Sequence, residues 1–430
     1  MQLEKNIPIA AALAAATCAL LGAPNAKAEE SQEPWAIDTA ILYYGETDRV
    51  SVVEGVLNAS KDFGDEHIFN GKLVLDTLTG ASASGAVAQP GVQSFTRPSG
   101  KGSYEVNGGE TPLDDTFQDT RVQVSGQWTQ PLWENTRGSS GLNFSKEYDY
   151  LSIGANGSIA KDFDRKNRTL SLGLSYQYDS IDPVGGAPVP FSNMLLRSNF
   201  DSDDGFDESF ADTRQDGSQD KTTIDVLLGL TQTINKRMIM QLNYGLSVSD
   251  GYLNDPYKIL SLVNEEGLTE SLVYENRPDK RTKHNIYWQT KYAMDSSVID
   301  VSYRFSTDDW DINSHTIDSR LRFNLSDTSY IQPHFRYYQQ EAAEFYTPFL
   351  NSGDSLPTYA SSDYRLGEMT AVTLGLKYGQ ILSNGHEWGV RLEYYQQSPK
   401  NSGFDAPGTL QNEDLYPSVK AVIAQLSYSF

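Results

Sequence analysis

The stretch Val419-Lys420-Ala421-Val422-Ile423-Ala424-Gln425-Leu426-Ser427-Tyr428-Ser429-Phe430 alternates over most of its length. Val422, Ala424, Leu426, Tyr428 and Phe430 fall on one face, and Gln425, Ser427 and Ser429 on the other, with Ile423 as an apolar exception. A period of two with one oily and one polar face specifies a half-buried β-strand. Soluble sheets use such strands as well, so the decision rests on the rest of the chain.

The other end supplies the first clue. Met1 to Ala28 reads as a secretory signal: Lys5 in a weak basic region beside Glu4, an apolar run from Ile7 to Leu21, and Ala26-Lys27-Ala28 as a small-x-small cleavage site. The run is too short and Ala-rich for a spanning helix. Cys18 lies inside it, and Ala15 and Thr17 suit a lipoprotein anchor poorly, so the processed chain is expected to be free of cysteine. A secreted chain whose last strand ends on an aromatic resembles the C-terminal signal of bacterial outer-membrane β-barrels. That resemblance implies handling by the barrel-assembly machinery through Phe430, and a chain divided into a signal at 1–28 and a barrel domain at 29–430.

Composition agrees. The chain of 430 residues carries a formal charge of −23, which argues against nucleic acid and anionic membrane surfaces as partners. Mean hydropathy is −0.48, yet 25 Tyr, 17 Phe and 6 Trp are present. A membrane barrel combines these, because lumen and loops are polar while the interfacial girdles are aromatic. No later window approaches 18 apolar residues, so no transmembrane helix is expected.

Fifteen strand candidates follow along the chain: Ala36–Glu46, Val50–Asp62, Glu66–Leu78, Thr120–Gln130, Asn143–Lys161, Arg168–Asp179, Lys221–Asn235, Arg237–Asp250, Arg281–Met294, Val298–Asp308, Ile312–Leu325, Ser329–Gln340, Leu366–Leu382, Glu387–Gln397 and the closing strand. Leu170, Leu172, Leu174, Tyr176 and Tyr178 set a clear outward face against Ser171, Gly173, Ser175 and Gln177. Bacterial barrels usually have an even number of strands, so one is missed, merged or outside the wall. Long polar connections at 79–119, 180–220, 251–280, 341–365 and 398–418 read as loops. Counting from either terminus places 79–119 on opposite sides, which locates the error between Thr120 and Lys161. The expected fold is an all-β, antiparallel transmembrane β-barrel of 14–16 strands with long loops, as one monomeric domain.

Four constellations could carry chemistry. Inward faces would present Asp318, Arg320 and Arg322, then Gln332, His334 and Arg336, then Arg391 and Glu393. These charges either neutralise one another or line a selective aqueous path. The acidic run Asp201–Asp220 lacks the ligand spacing of a calcium loop and reads as a solvated surface loop, so no metal is expected. The five histidines, His67, His284, His315, His334 and His386, show no ligand-pair spacing. His284 or His315 could serve a rim hydrolase, but nothing selects a nucleophile, so no enzyme is expected. Finally, Asp76-Thr77-Leu78-Thr79-Gly80-Ala81-Ser82 resembles the Asp-x-x-Ser/Thr-Gly-Ala-Ser/Thr motif on which flavin transferases attach FMN through a phosphoester. Ser82 would be the acceptor, Gly80 and Ala81 would allow close approach, and Asp76 would support activation. Thr77 departs from the usual Gly or Ala, and a strand-to-loop exit from Leu78 explains the small residues equally well.

Longer segments carry a family resemblance. Asp76–Ser82, Gln93-Ser94-Phe95-Thr96-Arg97-Pro98-Ser99-Gly100, Gly109–Phe117 and Asp119-Thr120-Arg121 resemble the domain of unknown function 3570 family. So do Arg281-Thr282-Lys283-His284-Asn285-Ile286-Tyr287, Asp308-Asp309-Trp310, Arg336-Tyr337-Tyr338-Gln339-Gln340, Ala343–Tyr346 and Tyr359-Ala360-Ser361-Ser362-Asp363-Tyr364-Arg365-Leu366. The resemblance implies a Gram-negative outer-membrane protein in contact with lipid and lipopolysaccharide, without an assigned activity. It also implies neighbours that include a flavin transferase and a thioredoxin-like protein, hence periplasmic redox partners. The expected function is a pore, conduit or scaffold; the alternatives are a flavin-linked electron-transfer component carrying FMN at Ser82, and a rim hydrolase.

Overall fold

The computed structural model describes residues 35–430, the side chains of residues 115–117 excepted. The signal expected at Met1–Ala28 lies outside the described residues. Sixteen antiparallel strands close into one barrel. They are β1 Ala36–Glu46, β2 Val50–Asp62, β3 Ile68–Ala83, β4 Leu113–Trp133, β5 Thr136–Lys146, β6 Tyr150–Phe163, β7 Arg168–Ile181 and β8 Gln219–Asn235. The second half comprises β9 Met238–Gly251, β10 Lys280–Ala293, β11 Ser297–Asp308, β12 Asn313–Asn324, β13 Ser329–Gln340, β14 Met369–Ile381, β15 Glu387–Pro399 and β16 Val419–Ser429. Closure runs between the first and last strands, from Asp38 opposite Ser429 to Glu46 opposite Ala421. Every strand thus has two neighbours, and no backbone edge is left to meet hydrocarbon.

The alternation sorts as membrane physics requires. Leu170, Leu172, Leu174 and Tyr176 of β7 are exposed on the outside, as are Leu374 and Leu376 of β14 and Val422 and Leu426 of β16. Thr223, Asp225, Gln241, Asn243 and Ser247 are buried on the inside. A continuous apolar belt far exceeds the few hundred Å² tolerated on a soluble surface, whereas lipid solvates it. Aromatic clusters mark the short-turn end: His386, Tyr428 and Phe430 meet edge to face, and Tyr378 packs beside Trp388. Among the described residues, no helix is long and apolar enough to cross a membrane.

The merged candidate Asn143–Lys161 is two strands, β5 and β6. They are joined at Glu147-Tyr148-Asp149, where the Glu147 amide donates to the Tyr150 carbonyl at 2.8 Å. This turn contains neither Gly nor Pro, so the alternation reads straight through it. With it restored, all five long connections fall at one end, at 84–112, 182–218, 252–279, 341–368 and 400–418. Strands β3 and β4 also continue beyond the expected ends, so Thr79–Ala83 is strand rather than loop exit. Within the acidic run Asp201–Asp220, expected as a solvated surface loop, lies a helix, α1, Asp203–Asp212. Ser202 caps it by accepting the Gly205 amide, and Arg197 binds Asp203 at 2.6 Å and Asp207 at 2.7 Å. Acids in a first helical turn complement the helix dipole, and the cap supplies the start signal.

The long connections fold into a cap with its own apolar core. A hairpin of Gln93–Thr96 and Ser103–Val106 packs Phe95 against Met194, Ile259 and Tyr274. A second hairpin, Ile259–Val263 with Thr269–Tyr274, pairs in parallel with Leu350–Asn351. Connection 252–279 is the hub. Ile259 donates to the Ser84 carbonyl at 2.9 Å and Met194 to the Leu272 carbonyl at 2.8 Å. Asn276 and Ala360 exchange amide bonds, and Thr409 donates to the Glu266 carbonyl at 2.9 Å.

Candidate functional site

Beneath the cap lies a cavity of about 680 Å³, roofed by residues 252–256, Arg277, Asp363, Arg365 and Leu366 and walled by β6 to β13. Its lining holds Lys221, Arg277, Arg281, Lys283, Arg304, Arg336 and Arg365 against four carboxylates, those of Asp149, Asp255, Asp308 and Asp363. In a chain of net charge −23, the cations that line this chamber outnumber the carboxylates that line it.

The roof is held by a buried ion network. Arg365 lies 2.5 Å from Asp255 and donates through Nε to Asp363 at 2.8 Å, while Arg277 reaches Asp363 at 2.8 Å and Glu275 at 3.0 Å. Glu275 also accepts the Ser361 hydroxyl and the Asp255 amide, each at 2.5 Å, and Lys258 donates to the Ala83 carbonyl. Burial opposes every one of these charges. For Asp363 the Arg365 and Arg277 guanidiniums win, and hold its carboxyl far below the usual carboxylate range. Burial likewise works against Asp255, but Arg365 and Lys258 keep it at about 2. At Glu275 burial prevails over Arg277, helped by the charges of Asp255 and Asp363, and the carboxyl is pushed up to about 6. Charges this deep are tolerated only where partners satisfy them.

One level toward the short-turn end, His334 lies 2.9 Å from Asp318 through Nε2 and 2.9 Å from Glu393 through Nδ1. Only a ring with both nitrogens protonated satisfies two carboxylates. His334 and Glu393 sit on β13 and β15, with Gly375 of β14 between them in register. A Cβ on Gly375 would stand 2.6 Å from the Glu393 Cγ, so its absence opens the bridge. Arg320 lies 3.5 Å from Asp318, and Arg391 lies 3.7 Å from Glu393 and donates to Gln425. Arg322 is set apart, over the Tyr330 ring at 3.6 Å and bonded to Asn324. The candidate ladder therefore divides: Asp318, Arg320, His334, Arg391 and Glu393 neutralise one another, and Arg336 stands outside the network.

The segment Asp76–Ser82 is not drawn together. Asp76 faces the lumen and accepts Arg121 Nε at 2.7 Å. Six residues of strand at ~3.3 Å each separate it from Ser82 by about 20 Å, beyond any direct support of the hydroxyl. Thr79 points outward, and the Ala81 amide donates to the Arg49 carbonyl at 3.2 Å. Gly80 has φ +134°, and a Cβ there would meet the Arg49 carbonyl at 2.3 Å. The strand bulges between Gly80 and Ser82, and Ser82 opposes Asp114. Ser82 lines a separate cavity of about 250 Å³ with Arg97, Tyr104 and Tyr257. His284 and His315 lie on the outward-facing positions of β10 and β12 and bond the hydroxyls of Tyr244 and Tyr303, each at 2.8 Å. His67 and His386 belong to the short-turn end.

Reading from sequence missed the chamber, although its segments were in view. Arg281, Lys283, Asp308, Trp310, Arg336, Tyr338, Gln340, Asp363 and Arg365, dispersed over four of the segments that carry the family resemblance, all line it. A family model described as "Protein of unknown function (DUF3570)" matches residues 10–430. The chain belongs to this family. No curated protein matches the sequence. Among solved structures, a "Bacterial polysaccharide outer membrane secretin" aligns with TM-score 0.44 and 8% identity, over 93% of this chain and 100% of that one. The siderophore receptor PirA from Pseudomonas aeruginosa aligns with TM-score 0.40 and 9% identity, over 93% of this chain and 63% of the receptor. The "CymD monoaromatic hydrocarbon channel" aligns with TM-score 0.37 and 7% identity, over 93% and 89%. This member of the DUF3570 family is a closed sixteen-stranded barrel with a cap over a charged chamber.

Proposed function

We propose that the protein is a monomeric outer-membrane conduit for small polar solutes, closed on its outer side by the cap. The observation that carries this reading is the chamber: a polar, charged space inside a sixteen-stranded wall, directly beneath a separately folded roof. Barrels of 16 to 18 strands are wide enough to enclose an aqueous path, and long loops usually face outward. The cap would then meet the exterior and lipopolysaccharide, and the short turns the periplasm. The full chain in planar bilayers is expected to conduct in steps, with its ion selectivity altered when Arg320, Arg336 or Arg391 is replaced by Gln. A silent bilayer, both for the native protein and for a variant with its cap loosened, overturns the conduit.

A second reading is favoured by one observation, that Ser82 opens onto its own cavity beside Arg97. In this reading a separate flavin transferase joins the Ser82 Oγ to the FMN phosphate of FAD. The pyrophosphate bond breaks, AMP leaves, and the hydroxyl proton is lost. Protein co-expressed with such a transferase would gain the mass of one FMN, and Ser82→Ala would not. An unmodified Ser82 peptide under those conditions ends the covalent version, and with it the link to periplasmic redox partners.

A further inference from the structure

Most cations of the chamber already have acids. Lys221 lies 2.9 Å from Asp179, Arg281 2.5 Å from Asp308, and Arg277 and Arg365 share the roof carboxylates. Arg304 and Arg336 differ. Among the described residues, no carboxylate comes within ion-pair distance of either, although both line the cavity. Asp318 is opposite Arg336 in register, but its Oδ2 is occupied by His334 at 2.9 Å and approached by Arg320 at 3.5 Å. Arg304 lies over the Tyr287 ring at 5.4 Å, which holds the guanidinium in place without neutralising it. The two stand on the same cavity, on the strands that flank the one carrying Asp318, so two guanidiniums share the surroundings of a single carboxylate that is already engaged. Maintaining such a pair is unfavourable unless an anion joins it, and a guanidinium fork matches an oxyanion with two parallel hydrogen bonds.

Apart from Asp318, the neighbours of the pair include hydroxyls. Across the register, Arg304 faces Thr316, which faces Tyr338, and all three line the cavity. A volume of about 680 Å³ has room for a small organic molecule and is too small for a polymer. We infer that Arg304 and Arg336 form the binding site for a small organic anion, with a phosphate or carboxylate between the two guanidiniums and a hydroxylated frame against Thr316 and Tyr338. The inference rests on the conduit reading and makes this chamber the place where its solute is held.

Calorimetry on the full chain in detergent, titrated in turn with glucose 6-phosphate, citrate and glucose, tests the site. At least one of the two charged probes is expected to bind while neutral glucose does not, and the tighter of the two identifies the headgroup. Arg304→Gln or Arg336→Gln should each weaken binding about tenfold, and the double change about a hundredfold. Arg336→Lys should recover part of the loss, since charge survives but the fork does not. Folding of each variant is checked by heat-modifiable migration of the barrel. Equal binding of glucose, no binding of either charged probe to the native protein, or native affinity in the folded double variant overturns the assignment. Because no membrane is present, the two readings separate. Binding with a silent bilayer keeps the site and removes the conduit; conductance without anion binding does the reverse.

Discussion

Replacing Asp363 by Asn is expected to open the cap while leaving the wall intact. Asp363 is 1% exposed and is the acid shared by Arg277 and Arg365. Asn keeps the shape of the side chain, so the packing is hardly altered. The lost charge leaves two guanidiniums facing each other in a buried site. Breaking a buried pair in this way costs about 3–5 kcal/mol. The lower end applies here, because Arg277 retains Glu275 and Arg365 retains Asp255. A loss of about 3 kcal/mol raises the open fraction of the cap by roughly two orders of magnitude. Limited proteolysis should then cut within 252–279 and 341–368, where the native protein is expected to resist, and hydrogen exchange should accelerate in the same segments. The sixteen strands should keep their protection, since their ladders do not pass through Asp363. Unchanged protection of both segments would mean that the network does not hold the roof.

The second large effect concerns the wall and compares two leucines of similar exposure. Leu172 on β7 is 51% exposed and Leu268 in the cap hairpin is 44% exposed. Were both facing water, an arginine at either position would change stability by less than about 0.5 kcal/mol. Leu172 instead lies in mid-strand on the outer belt, where an arginine near the bilayer midplane costs about 2–4 kcal/mol. Leu172→Arg should therefore lower the urea midpoint for folding into lipid vesicles substantially, and Leu268→Arg hardly at all. Equal shifts for the two would place β7 in water and defeat the membrane reading of the belt.

The wall is legible because hydrocarbon imposes one requirement at every second residue. Leu170, Leu172, Leu174, Tyr176 and Tyr178 state it without ambiguity. Where both strand faces are wet, the signal disappears: β4 pairs from Leu113 onward, yet alternation in the sequence begins only near Thr120. The turn at Glu147-Tyr148-Asp149 is silent for a related reason, since its geometry needs no Gly or Pro. The cap hairpin Ile259–Val263 with Thr269–Tyr274 is hidden by its length, because strands of five or six residues inside a polar connection resemble loop. The lumen was partly legible. Inward charges on β12, β13 and β15 follow from the outward faces, but Arg304 on β11 goes unnoticed until its neighbours are known.

Sequence alone determines that this chain alternates, is acidic and builds a closed wall with its oily side outward, because each of those properties is local or summed. Tertiary structure decides which charges meet. Asp255 and Arg365, and Arg277 and Asp363, are far apart in the chain and are joined only when two connections dock. His334 reaches Glu393 only because register places Gly375 between them. The same register sets Asp318 opposite Arg336 but hands its carboxylate to His334 and Arg320, so among the described residues Arg304 and Arg336 keep no ion-pair partner. The feature that most resembles a binding site thus arises from strand pairing and loop packing rather than from any motif.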